Sequence, residues 1–133
     1  MNKIKGVITG VESSSNISLA TIQANGKTFS SLIIDTPANA LYLEEGKEVY
    51  VLFKETEVSI AKGRTGLISM NNVLQVVVTK ISKGDVLARL ELDFDGTPIV
   101  SVITTRSVNR LGLCEGDTVE ALVKSNEITL MEV

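Results

Sequence analysis

The chain has 133 residues, 44% hydrophobic and 22% charged side chains and a net charge of −3, the composition of a globular protein of one medium domain or two very small ones. It has no His and a single Cys, Cys114. That excludes Ser-His-Asp and Cys-His catalysis, His-ligated metals, an internal disulfide and multi-Cys zinc or iron–sulfur sites. The acidic balance also argues against a general nucleic-acid surface or a polybasic membrane surface.

In chain order, Ile4, Val7, Ile8 and Val11 predict a first strand, and residues 17–24 alternate apolar and polar. Asn25-Gly26 is a two-residue hairpin signal leading into a strand over 27–34. Thr36-Pro37 followed by Ala38-Asn39-Ala40-Leu41 reads as a short helix with Pro in its first turn, soon stopped by Gly46. Residues 49–54 and 58–61 read as two further strands. The same series then recurs: strands over 86–94 and 98–104 flank Asp95-Gly96, a helical stretch covers 105–111, Gly116 stops it, and strands follow at 119–124 and 128–131.

The recurrence is literal. At an offset of 70, Asn2 falls on Asn72, Thr9 on Thr79, Gly26 on Gly96, Ser31 on Ser101, Glu45-Gly46 on Glu115-Gly116 and Lys54 on Lys124. A single ungapped offset over the whole length marks a tandem duplication. Residues 62–68 form its connector, and the copies occupy 1–63 and 64–133. Five short strands and one small helix per copy predict an all-β fold of two tandem OB-type Greek-key barrels, each with a short helix after its third strand. So small a unit buries little apolar surface alone, so each copy should lean on its sister, on other subunits, or on both.

The Asn near the first strand, the Asn/Asp-Gly hairpin, the Ser/Thr turn into a short helix, Leu111-Gly112-Leu113-Cys114-Glu115-Gly116 and a strand ending in Lys124-Ser125 together resemble the molybdate-binding Mop domains, also called molbindin or TOBE-type domains. Two in tandem resemble the di-Mop molbindins and the ligand-binding half of the molybdate-responsive transcription regulator. The resemblance implies a non-enzymatic cytoplasmic protein that binds molybdate or tungstate for storage, buffering or sensing. It also implies a homotrimer with sites at subunit interfaces. Family members begin with Ser-Ala-Arg-Asn; here Ser69 and Asn72 match and Asn71 stands in the Arg position. Thr104 and Ser107 match the hydroxyls before the short helix, with Arg110 one turn on. Lys124-Ser125 matches the pair after the fourth strand, and Lys54 is its counterpart in the first copy. The first copy begins too late to carry the opening motif, keeps only Asn2, and has Ile34, Pro37 and Glu55 where the second has Thr104, Ser107 and Ser125.

A tetrahedral dianion offers four acceptor oxygens and no donors, so its site needs N–H and O–H groups with one or two formal cations. Ser69, Asn71, Asn72, Thr104, Ser107, Arg110, Lys124, Ser125 and Lys54 supply such groups, with no protein side chain bonded directly to the metal and no organic cofactor. Each has a plainer reading. A Ser or Thr before a helix is an N-cap, a Lys at a strand end is a solvated edge residue, and Asn72 satisfies backbone at a bend.

Two other functions remain open. One is an accessory regulatory module for a molybdate transporter or regulator, with weak oxyanion binding or none. The other is a nucleic-acid OB module, disfavoured because only Phe29, Tyr42, Tyr50, Phe53 and Phe94 are available for stacking on an acidic chain. No helix-turn-helix element is predicted, so direct DNA contact is not expected. No run approaches the ~18 apolar residues of a membrane span. Lys3 and Lys5 lead into an alternating stretch rather than a leader's apolar core, so a cytoplasmic location is expected.

Overall fold

The alternating segments become ten strands. The computed structural model describes residues 1–133. It contains β1 (Asn2–Ser14), β2 (Ile17–Ala24), β3 (Lys27–Ile33), β4 (Glu48–Phe53), β5 (Ser59–Ala61), β6 (Asn72–Lys83), β7 (Leu87–Phe94), β8 (Thr97–Thr104), the helix α1 (Thr105–Leu111), β9 (Thr118–Val123) and β10 (Thr129–Glu132). Both hairpins turn as their sequences require: Asn25 and Gly26 have φ of 52° and 74°, Asp95 and Gly96 of 47° and 91°. β1 and β6 each break register at the same point, between Ile8 and Gly10 and between Val78 and Lys80. There Ile8 exchanges backbone hydrogen bonds with Gly46 and Lys47, and Val78 with Gly116 and Asp117. A bulge of this kind bends the long strand and curls the sheet toward an OB-type barrel.

One expectation fails: only the second copy has a helix. At 36–40 the first copy makes a single turn, with the Ala40 amide donating to the Thr36 carbonyl at 2.8 Å. The equivalent positions explain the difference. In the second copy the Thr104 hydroxyl caps the helix by accepting from the Ser107 amide, and Gly112 ends it in the left-handed conformation at φ 61°. In the first copy those places hold Ile34 and Tyr42, so neither end is capped. Pro37 alone does not nucleate a helix.

All strand pairs are antiparallel, and the sheet orders are β10-β4-β1-β2-β3 and β5-β9-β6-β7-β8. Each repeat therefore sends its last strand into the other repeat's sheet. β10 pairs with β4 through Thr129 and Leu52, and β5 pairs with β9 through Ser59 and Leu122.

Repeated polar clasps secure the exchange. Asn72 accepts from the Ser30 amide at 2.7 Å and donates to the carbonyls of Ser30 and Val123, both at 3.0 Å. Asn2 exchanges the equivalent pair with Val100, at 2.8 and 2.9 Å. The buried hydroxyls of Ser31 and Ser101 donate to the carbonyls of Ile128 and Val58, each at 2.8 Å. No buried side-chain nitrogen or oxygen is left without a partner. One continuous apolar core runs through both repeats, and Phe29 meets Phe94 edge to face across it with ring centroids 6.2 Å apart.

Candidate functional site

Lys124 ends β9 in extended conformation, and Ser125 opens a 3-10 turn over Ser125–Glu127. The Ser31–Ile128 bond holds this turn on β3, while the Asn72 clasp ties the start of β6 to Ser30 on the same strand. Between them lies a hollow of about 290 Å³ lined by Leu32, Ser69, Met70, Lys124, Ser125 and Asn126. The side chains of Ser69, Lys124 and Ser125 take no part in the chain's own hydrogen bonds or ion pairs, so one ammonium and two hydroxyls stand free at one rim. Asn71 is exposed beside them.

Asn72 has a different place. It is fully buried, and both amide hydrogens and its carbonyl are engaged with backbone. It has no donor left for a ligand; it fixes the segment that carries Ser69.

Thr104, Ser107 and Arg110 lie elsewhere on the chain. The Thr104 and Ser107 hydroxyls are 2.9 Å apart, and Thr104 borders a hollow with Asp85, Val86 and Arg106. Ser107 and Arg110 line another, of about 450 Å³, together with Ser59 and Lys62 around β5. Lys54 precedes the first repeat's 3-10 turn beside Glu55, whose carboxylate meets the amine of Met1. Within one chain the candidates thus form two separate second-repeat groups and one first-repeat position.

Three participants escaped the sequence reading. Leu32 and Asn126 line the hollow because the repeats interlock, which residue spacing does not signal. Lys62, read as connector, donates to the Gly112 carbonyl at 2.7 Å and to Asp117 at 3.0 Å. Asp117 also accepts from the Cys114 amide at 2.8 Å; that bond first, and Lys62 second, hold its carboxyl below the usual range. Nowhere do three His, Cys, Asp or Glu side chains cluster so as to hold a metal ion, and no helix is long and apolar enough to cross a membrane.

The fold has a close counterpart. A crystal structure of the cytoplasmic molybdate-binding protein ModG, with molybdate bound, matches at a TM-score of 0.93 and 27% identity, over 99% of this chain and 96% of that one. The TOBE domain family matches residues 68–130. Residues 68–130 thus carry a TOBE domain, and the chain as a whole is similar to Mop-type proteins. The molybdenum-pterin-binding protein MopA of Rhodobacter capsulatus is 32% identical over 108 residues, covering 80% of this chain and 41% of MopA. The molybdenum import ATP-binding protein ModC of Brucella abortus is 40% identical over 84 residues, covering 62% of this chain and 23% of ModC. The chain spans about a quarter of the ModC relatives it matches and two fifths of MopA.

Proposed function

We propose that this chain is a Mop-type protein that binds molybdate or tungstate, without catalysis, as a cytoplasmic store, buffer or sensor of the oxyanion. The observation that carries the reading is the full-length likeness to molybdate-bound ModG, combined with the free donors of Ser69, Lys124 and Ser125. Lys124 supplies the charge-assisted hydrogen bond and the two serines supply neutral ones. Three side chains on one rim do not surround a tetrahedral dianion. The Thr104, Ser107 and Arg110 group, borne on another face of the same chain, complements them in an assembly of copies, as the expected trimer would provide. Each complete site then joins the Lys124 group of one chain to the Thr104 group of its neighbour, and Asn72 holds the first group in place.

Calorimetric titration with molybdate, tungstate and sulfate tests the function, and no heat with any of the three rejects it. The shared site is tested by complementation. Chains carrying K124A and S125A, and chains carrying T104V and S107A, should each bind poorly alone. Mixed and allowed to exchange, they should regain a fraction of the sites. A mixture as inert as its parts rules out an interface site.

The 40% identity to part of ModC favours a second reading, an accessory module acting on a molybdate transporter or regulator. Co-purification with such a partner, together with silence toward oxyanions, selects it.

A further inference from the structure

The duplication gives the hollow at Lys124 an internal control, because a hollow sharing two of its equivalent positions lies at the first repeat's 3-10 turn, with different chemistry. It measures about 560 Å³ and is lined by Lys3, Glu55, Arg89, Pro98, Val100 and Val102, with Met1 and Asn2 at one end. Glu55 stands where the second repeat has Ser125, and Val102 where the first has Leu32. We propose that only the second repeat's hollow takes an oxyanion, and that Glu55 closes the first to anions. The inference rests on the oxyanion reading above and adds the number and placement of sites.

Three observations support it. Glu55 lines the first hollow where Ser125 lines the second; it replaces a hydroxyl donor with an acceptor-only carboxylate, which the Met1 amine already engages. The first hollow's cations already have partners: the Met1 amine meets Glu55, Lys3 lies 4.0 Å over the Tyr50 ring and Arg89 is 3.5 Å from Glu91, while Lys54 does not line it. In the second hollow Lys124 lines the wall and no carboxylate does.

The complementary group is lost in the same repeat. Ile34 and Pro37 replace Thr104 and Ser107, which removes both hydroxyls and, at Pro37, the backbone N–H as well. The clasps at Asn2 and Ser31 are nevertheless kept, with the same bonds as Asn72 and Ser101. The first repeat has therefore preserved its fold and shed its donors. General drift would have eroded both.

Calorimetry of the full chain with sodium molybdate, together with its K54A, K124A and I34T/P37S/E55S variants, tests the proposal. One molybdate per chain is expected, weakened at least tenfold by K124A and left unchanged by K54A. The triple variant, altered at two exposed positions and one half-buried one, should gain a second, weaker event. Two molybdates per chain in the unaltered protein, or equal losses from K54A and K124A, overturns the proposal. A triple variant that still binds one overturns the assignment of closure to Glu55 and its companions. No heat in the unaltered protein is a separate outcome that removes the oxyanion reading itself.

Discussion

The first and second repeats reach the same barrel by the same bulge, the same hairpin turn and the same buried Asn and Ser clasps, yet, Lys54 and Lys124 apart, they differ at the candidate ligand donors. Ile34, Pro37, Tyr42, Lys47 and Glu55 face Thr104, Ser107, Gly112, Asp117 and Ser125. The first group builds no helix and no carboxylate-free hollow; the second builds both. What the copies share is therefore what the fold demands, and what they do not share marks where ligand chemistry is added to it.

The largest test of that division is at the clasps. Asn72→Ala strands the Ser30 amide and the Ser30 and Val123 carbonyls in a buried seam, at a cost of about 3 kcal/mol. Asn2→Ala strands two groups, at about 2 kcal/mol. Urea unfolding at unchanged slope measures both, and losses no larger than those of a surface substitution would dissolve the common framework. At the donors, Lys124→Ala should weaken molybdate binding at least tenfold, or about 1.4 kcal/mol, with little change in folding stability. A stability loss equal to the affinity loss would make Lys124 structural.

The helix is the next contrast. Thr104→Ala removes an N-cap and should cost about 1 kcal/mol. Ile34→Ala, at an equivalent position 81% exposed, should stay within about 0.5 kcal/mol. Equal effects would mean that the cap does not hold the helix.

Much of this was legible in the sequence. Alternation and the Asn-Gly and Asp-Gly turns located eight of the ten strands to within a residue, because each strand buries one face; β1 runs three residues beyond Val11, and β6 is implied only by the duplication. The offset of 70 exposed the duplication. The strand exchange was not legible: β5 and β10 have the same pattern whichever sheet they join, and only the three-dimensional path of the connector decides. The first-repeat helix was over-read from Pro37, although the missing cap at Ile34 and the missing Gly at position 42 were visible in the same residues. Ser69, Lys124 and Ser125 were named through the family pattern, and the structure brings them to one rim. Asn72 was named with them, but the framework uses all its hydrogen-bonding capacity, which no residue type or spacing reveals.

The smallest expected difference between the repeats is their response to acid. The turn after each bulge is the same in backbone, since Lys47 donates its amide to Glu44 as Asp117 does to Cys114. The last position of the turn holds Lys47 in the first repeat and the carboxylate of Asp117 in the second. Asp117 accepts from the Cys114 amide and from Lys62, so its folded carboxyl is held below its unfolded value. A group depressed in this way contributes stability above its unfolded range, and that contribution is lost as pH falls through the folded value, from about pH 4 downward. Asp117→Asn should therefore flatten the fall in melting temperature between about pH 5 and pH 3 relative to the unaltered protein, while Lys47→Gln should leave its slope unchanged. Because Asp117 lies near the surface, solvent screens the effect and it stays small. Identical slopes for the Asn variant and the unaltered protein would mean that the Lys62 tether leaves the carboxyl titrating as it does in the open chain, and that the two turns differ in sequence without differing in acid response.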